Sequence, residues 1–246
     1  MRRWTFILIP FLFAACSQNN VTEDNSFKKY FDSAGVRGTF GMFDNGQGHF
    51  TIYNLPRFRD SACLPAGTFD FLLSLIGIQT GLVKDDSALA SLGHENGFGQ
   101  LALHLGKDTL KKWIDSLCYG NRDIGGPIDS FWLNNHLKVT PDEQLGLVKK
   151  LYFDQLPFFQ HTQQVVRREM TTENNTNYLL SYKTGQGIKE NGHPIAWVMG
   201  WVEENKHPYF FVLNLESSNP NGDILSNGRP ILNGILTQMG FFQGKK

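Results

Sequence analysis

This chain places strand-forming runs at both ends of a long helical block, with no alternation of single strands and single helices. Thr39-Phe40-Gly41-Met42-Phe43, then Asn45-Gly46, then His49 to Tyr53 read as a hairpin, because Asn-Gly between two strand-like runs favours a tight turn. From about residue 66 to 170 the pattern turns helical. Residues 69–78 are apolar nearly all round, which predicts a fully buried helix that Gly77 weakens and Gly81 ends. Thr140-Pro141-Asp142-Glu143 combines capping-box spacing with proline at the first helical position, and predicts a helix running to about Gln155. Strand character returns at Tyr178 to Lys183, Ala196 to Glu203 and Tyr209 to Glu216, with Glu204 to Pro208 as a hairpin loop. Gly228 to Met239 reads as a closing helix. The order predicts an α+β fold: an antiparallel sheet flanked by helices, with a helical block inserted.

A chain of 246 residues with 41% hydrophobic content has enough apolar mass for one sizeable core. Its formal net charge is zero and it carries no long basic run, so no electrostatic footprint for nucleic acid is present. The seven histidines show no i, i+4 pairing and no zinc-ligand spacing, so neither a metal site nor a cofactor is expected.

The first residues form a targeting segment. Arg2 and Arg3 supply a positive start, and Phe6 to Phe13 an apolar stretch too short to span a bilayer. Phe13-Ala14-Ala15-Cys16 looks like a bacterial lipobox, in which Cys16 is lipidated and becomes the new N-terminus. An ordinary secretory signal cleaved near Ala15 is the alternative. The expected division is therefore a lipoprotein signal over 1–16, a polar flexible tether over 17–26 and a folded domain over 27–246. Such a protein is exported to the cell envelope and anchored to a membrane rather than spanning it, facing the periplasm. Cys63 and Cys118 remain, and an oxidising compartment permits a disulfide. Two buried free thiols are the other possibility.

Several motifs occur in order: Pro65-Ala66-Gly67-Thr68-Phe69-Asp70, Tyr119-Gly120-Asn121, Phe131-Trp132-Leu133, Leu137-Lys138-Val139-Thr140-Pro141, Gln155-Leu156-Pro157-Phe158, Lys183-Thr184-Gly185 and Gly200-Trp201-Val202-Glu203. On these motifs, residues 27 to 240 resemble the class D (oxacillinase-type) serine β-lactamases and the penicillin-binding proteins that share their fold. The resemblance implies a catalytic serine where Gly67 stands and a carbamylated lysine base where Asp70 stands. Trp132 matches the tryptophan that holds the carbamate. Counting back from Tyr119 puts the second catalytic serine, that of a Ser-x-Val motif, at Gly93-His94-Glu95.

Lys183, Thr184 and Arg229 match the family's contacts to a substrate carboxylate, for which a guanidinium is suited. Gly185 completes the Lys-Thr-Gly motif, and the main-chain N–H groups of Gly67 and Gln186 match the oxyanion hole. A glycine has no oxygen to acylate, and an activated serine needs a neighbouring base. A lone carboxylate in an apolar helix is costly to bury, so Asp70 is expected to pair with Lys183 or to accept a hydrogen bond from the Trp132 indole. The alternative is that it meets solvent. Thr68 is expected to face away from the pocket, and Ser74 to lie too deep to serve as nucleophile. The expectation is a non-acylating lipoprotein of this fold that binds a β-lactam or a peptidoglycan stem peptide non-covalently. The alternatives are a divergent hydrolase using another nucleophile or a positioned water, and an envelope interaction protein with a vestigial pocket.

Overall fold

The computed structural model describes residues 20–93, 96–220 and 222–246. A short strand, β1 (Val21–Glu23), leads through α1 (Lys28–Ser33) to the hairpin β2 (Arg37–Asp44) and β3 (His49–Tyr53). The helical block follows as α2 (Leu55–Asp60), α3 (Asp70–Gln79), α4 (Asp86–Ser91), α5 (Gly97–Leu105), α6 (Lys107–Ser116), α7 (Pro141–Tyr152) and α8 (Gln160–Glu169). Strands β4 (Thr171–Asn174), β5 (Leu179–Ile188), β6 (Pro194–Glu204) and β7 (His207–Glu216) then lead to α9 (Leu225–Gln238). The described strands form one sheet in the order β1-β3-β2-β7-β6-β5-β4. Every pairing is antiparallel except β1 with β3. The N-terminal hairpin thus joins the C-terminal strands through β2 and β7, as the expected α+β class requires.

Side chains alternate across the sheet and divide the core in two. Trp197, Met199, Trp201, Phe210 and Val212 point toward the helical block, while Val198, Val202, Phe211, Leu213 and Leu215 pack with residues of α1 and α9. Helix α3 is buried from Phe71 to Gly77, which its all-round apolar sequence demands. At the head of α7, Thr140 Oγ1 accepts the Glu143 N–H at 3.2 Å and Glu143 Oε2 accepts the Thr140 N–H at 2.8 Å. This helix ends at Tyr152 rather than near Gln155, with Asp154 at φ +55 beyond it. The expected loop over Glu204 to Pro208 tightens to Asn205-Lys206, both at positive φ (+50 and +65). Such a two-residue turn matches the twist of the strands it joins.

Two readings need correction. The polar tether over 17–26 takes regular structure from Val21, which pairs with Phe50 of β3, while Ser26 lies in a 3-10 turn capped by Asp24. The outer edge of β3 offers unpaired backbone groups, and the β-branched Val21 and Thr22 suit it. Cys63 and Cys118 are both free, and only Cys63 is buried; Cys118 is exposed in a turn at φ +51. The signal segment over 1–16 and Cys16 lie outside the described residues.

Candidate functional site

The residues Pro65 to Asp70 form a tight entrance to α3. A 3-10 turn over Ala66–Phe69 runs directly into the helix, whose first residue is Asp70. Ala66 is fully buried at φ +52, a left-handed conformation that costs a residue with a Cβ about 1–2 kcal/mol. The surroundings hold it there: its N–H donates to the Trp132 carbonyl at 3.1 Å, and Trp197 Nε1 donates to the Leu64 carbonyl at 3.0 Å. Trp132 is itself buried and stacks on Phe69 at 5.4 Å between ring centroids. Thr68 faces away as expected, accepting from Gln144 Nε2 at 2.9 Å inside the core. Ser74 is buried and donates to the Asp70 carbonyl, out of reach of the turn's open side.

Strand β5 closes on this turn at glycines. A Cβ on Gly185 would lie 2.3 Å from the Thr68 nitrogen, so only glycine permits the approach. A Cβ on Gly67 would lie 3.2 Å from Gly185 Cα, 3.6 Å from the Thr184 carbonyl oxygen and 3.8 Å from Asp70 Oδ2. A side chain here would therefore press on the Gly185 backbone, with a carbonyl and a carboxylate at ordinary contact distance. Tyr182 N–H donates to Met170 O on the side away from β6. Antiparallel alternation then turns the Thr184 and Gln186 backbone groups to that same free edge, beside the turn. The Gly67 N–H belongs to the first residues of the turn, which have no partner within it.

Asp70 departs from expectation. It pairs with neither Lys183 nor the Trp132 indole, and it accepts no hydrogen bond from any described residue. Lys183 Nζ instead grips both carboxylate oxygens of Glu169, at 2.8 and 2.9 Å. Lysine reaches the end of α8 more readily than it reaches the short aspartate arm. Burial pushes the Asp70 carboxyl up to about 7; the Lys183 cation opposes the rise and the Glu169 carboxylate adds to it.

Arg229, near the head of α9, is also engaged. Its guanidinium lies on Glu173 of β4 at 2.5 Å, and Glu173 further accepts the Tyr178 hydroxyl at 2.6 Å. Thr184 is exposed and pairs across strands with Val198, against which Gly228 of α9 packs. The structure therefore brings Gly67, Asp70, Trp132, Lys183, Gly185 and Gln186 to one place, and puts Arg229 toward the β4 end of α9. Gly93 follows α4 and is exposed, while His94 and Glu95 lie outside the described residues. Sequence reasoning missed Glu169 and Glu173. They stand 14 and 56 positions from the cations they hold, beyond any local pattern.

A Lys-Thr-Gly strand laid against a strained turn at the head of a buried helix defines the class of the penicillin-recognising serine enzymes. The penicillin binding protein transpeptidase domain matches residues 94–237, and the chain belongs to that family. Beta-lactamase OXA-5 of Pseudomonas aeruginosa is 28% identical over 238 residues, 87% of this chain and 89% of that protein. The structure is similar to that of FUS-1 (OXA-85), a class D beta-lactamase from Fusobacterium nucleatum subsp. polymorphum. Their TM-score is 0.83 at 27% identity, covering 90% of this chain and 100% of that one. The C-terminal domain of the Bacillus licheniformis BlaR penicillin-receptor shares the fold with TM-score 0.82 at 24% identity, over 91% of this chain and 98% of that one.

Proposed function

We propose that this chain is an exported, lipid-anchored member of the family that binds a β-lactam, or a peptidoglycan stem peptide of related shape, without forming an acyl-enzyme. The observation that carries the reading is Gly67: the turn, the β5 edge and the backbone donors are all in place around a position with no hydroxyl. Asp70, where the family has its lysine, adds a second break in the acylation machinery. The binding elements persist in Lys183, Thr184, Gln186 and Arg229. Arg229 is half-exposed in its pair with Glu173, at 58% of its side-chain surface. Such a pair is worth only about 0–1 kcal/mol, and a guanidinium has five donors, so a ligand carboxylate competes for it. The same engagement of Arg229 and Lys183 by internal glutamates favours a second reading, an envelope interaction protein with a vestigial pocket.

The test is intact-mass spectrometry and thermal melting of the purified chain with benzylpenicillin. The expected result is a rise in Tm with no mass increase, since a ligand that favours the folded state stabilises it. Arg229→Ala should abolish the rise. Gly67→Ser should restore a hydroxyl within reach of Asp70 Oδ2 and gain a covalent adduct. A stoichiometric adduct on the unaltered chain would overturn the non-acylating reading. No Tm shift with benzylpenicillin or with a stem peptide would favour the interaction protein.

A further inference from the structure

We propose that Glu169 is the specificity-determining residue of this site: by occupying Lys183 it withholds from a ligand carboxylate the cation that would otherwise bind it. The inference rests on the reading that a β-lactam or stem peptide binds at this turn. It goes beyond that reading by naming the residue that sets which ligands are held and how tightly.

The pair is built into the junction of α8 and β5. Helix α8 ends at Glu169, and the next two residues are stitched to β5 just ahead of Lys183. The Met170 carbonyl accepts the Tyr182 N–H at 2.9 Å, and Thr171 Oγ1 lies 3.1 Å from Ser181 Oγ. Lys183 is in register with Met199, whose side chain points toward the helical block, so Lys183 rises on that same face. The ammonium then meets both Glu169 oxygens, at 2.8 and 2.9 Å. Local structure gives no reason for an acid at this place. A carboxylate in the last turn of a helix faces the negative end of its dipole, which suits the preceding Arg167 and Arg168 but not Glu169. The cation on β5 supplies the reason.

The pair also stands at the turn itself. Asp70 feels both partners, Lys183 lowering its pKa and Glu169 raising it. The two side chains are 22% and 30% exposed, against 58% for Arg229 in its own pair, so water screens this contact less. Two of the three lysine N–H donors are spent on it. A ligand carboxylate reaching Lys183 has two routes. It shares the cation with a like charge, or it displaces Glu169 and leaves that carboxylate partly buried without its partner. Both cost free energy. A ligand with no carboxylate at this point meets neither cost. The chain therefore discriminates against the carboxylate, and does so through one residue.

Calorimetric Kd values for benzylpenicillin and for its methyl ester, which lacks the carboxylate, test the proposal on the full chain, with Tm confirming that each variant is folded. Glu169→Gln should tighten benzylpenicillin about tenfold, the worth of one charge-assisted hydrogen bond, and leave the ester unchanged. Lys183→Gln added to that variant should remove the gain. Asp32→Asn, which takes a carboxylate from an exposed pair with Lys28 on α1, should change neither ligand. With Glu169 intact, Lys183→Gln should weaken benzylpenicillin far less than about tenfold. A loss of that full size there would overturn the proposal without any change at Glu169. An unchanged or weaker benzylpenicillin Kd in folded Glu169→Gln would overturn it too, marking the glutamate as a support for the lysine. Equal tightening of acid and ester would have the same force. Binding of neither ligand, by the native chain or by Glu169→Gln, would instead overturn the binding reading on which the inference stands.

Discussion

Asp70 is protonated in the fold over a pH range in which a free aspartate is charged. Its carboxyl ionises at about 7 because burial disfavours the charge, and the Lys183 cation is spent on Glu169. The unfolded chain ionises it near the ordinary 3.8. Between those values the folded state binds the extra proton, so stability falls as pH rises from about 4 to about 7 and stays low above. The penalty is at most about 4 kcal/mol, reduced by the partial exposure of the group. Asp70→Asn should therefore raise Tm by several degrees at pH 8 and by less at pH 5, the opposite of what a buried ion pair would give. Thermal melts of both proteins across that range check it; a lower Tm for the variant at pH 8 would show a paired carboxylate. A destabilising charge at the mouth of a retained turn is the kind of cost that functional sites carry.

At the scale of elements, the contact of β5 with the turn before α3 decides whether there is a site at all. Its closeness comes from Gly185, whose substitution by alanine would drive a Cβ to 2.3 Å from the Thr68 nitrogen and 2.8 Å from the backbone of Gly67. Backbone cannot yield as a side-chain tip does, so Gly185→Ala should cost about 1–3 kcal/mol. The strand should lift from the turn, lowering Tm and eliminating the benzylpenicillin shift. Gly146 is the matching control. It lies within α7 with nothing within 4 Å of a Cβ, so alanine there should stabilise by about 0.5–1 kcal/mol and leave the ligand response unchanged. If both variants melted alike, the closeness of β5 to the turn would have no energetic weight.

Across the whole molecule, one carboxylate ties the sheet's central edge together. Glu216, at the end of β7, is 4% exposed and accepts from Arg37 of β2, Arg57 of α2, Lys189 and His193 at 3.0–3.2 Å. Burial alone would raise its pKa, but hydrogen bonds from His193, Lys189 and Arg57 hold it at about 2. The folded value lies below the unfolded one, so this stabilisation is full above about pH 4.5 and is lost as pH falls toward 2. Glu216→Gln should cost about 2–3 kcal/mol at pH 7, a figure lowered by the exposed reach of Arg37, and much less at pH 2.5. Equal Tm differences at the two pH values would exclude the carboxylate's charge as the source.

How much of this was legible in the chain follows from the range of each interaction. Sequence alone determined the elements whose causes are local: the capping box at Thr140 to Glu143, the buried helix from Asp70, the hairpin around Asn45 and the strands carrying Lys183 and Trp201. The order of motifs from Pro65 to Glu203 also pointed to the family, since a motif is read from residue types at fixed spacing. The edge pairing of β1 escaped it, because three polar-flanked residues become a strand only when a neighbouring edge is open. Tertiary structure alone decided the charges: Lys183 went to Glu169 and Arg229 to Glu173, leaving Asp70 without a partner. Ion pairing depends on which helix end and which strand are brought within a few ångströms, and no periodicity in the chain encodes that distance.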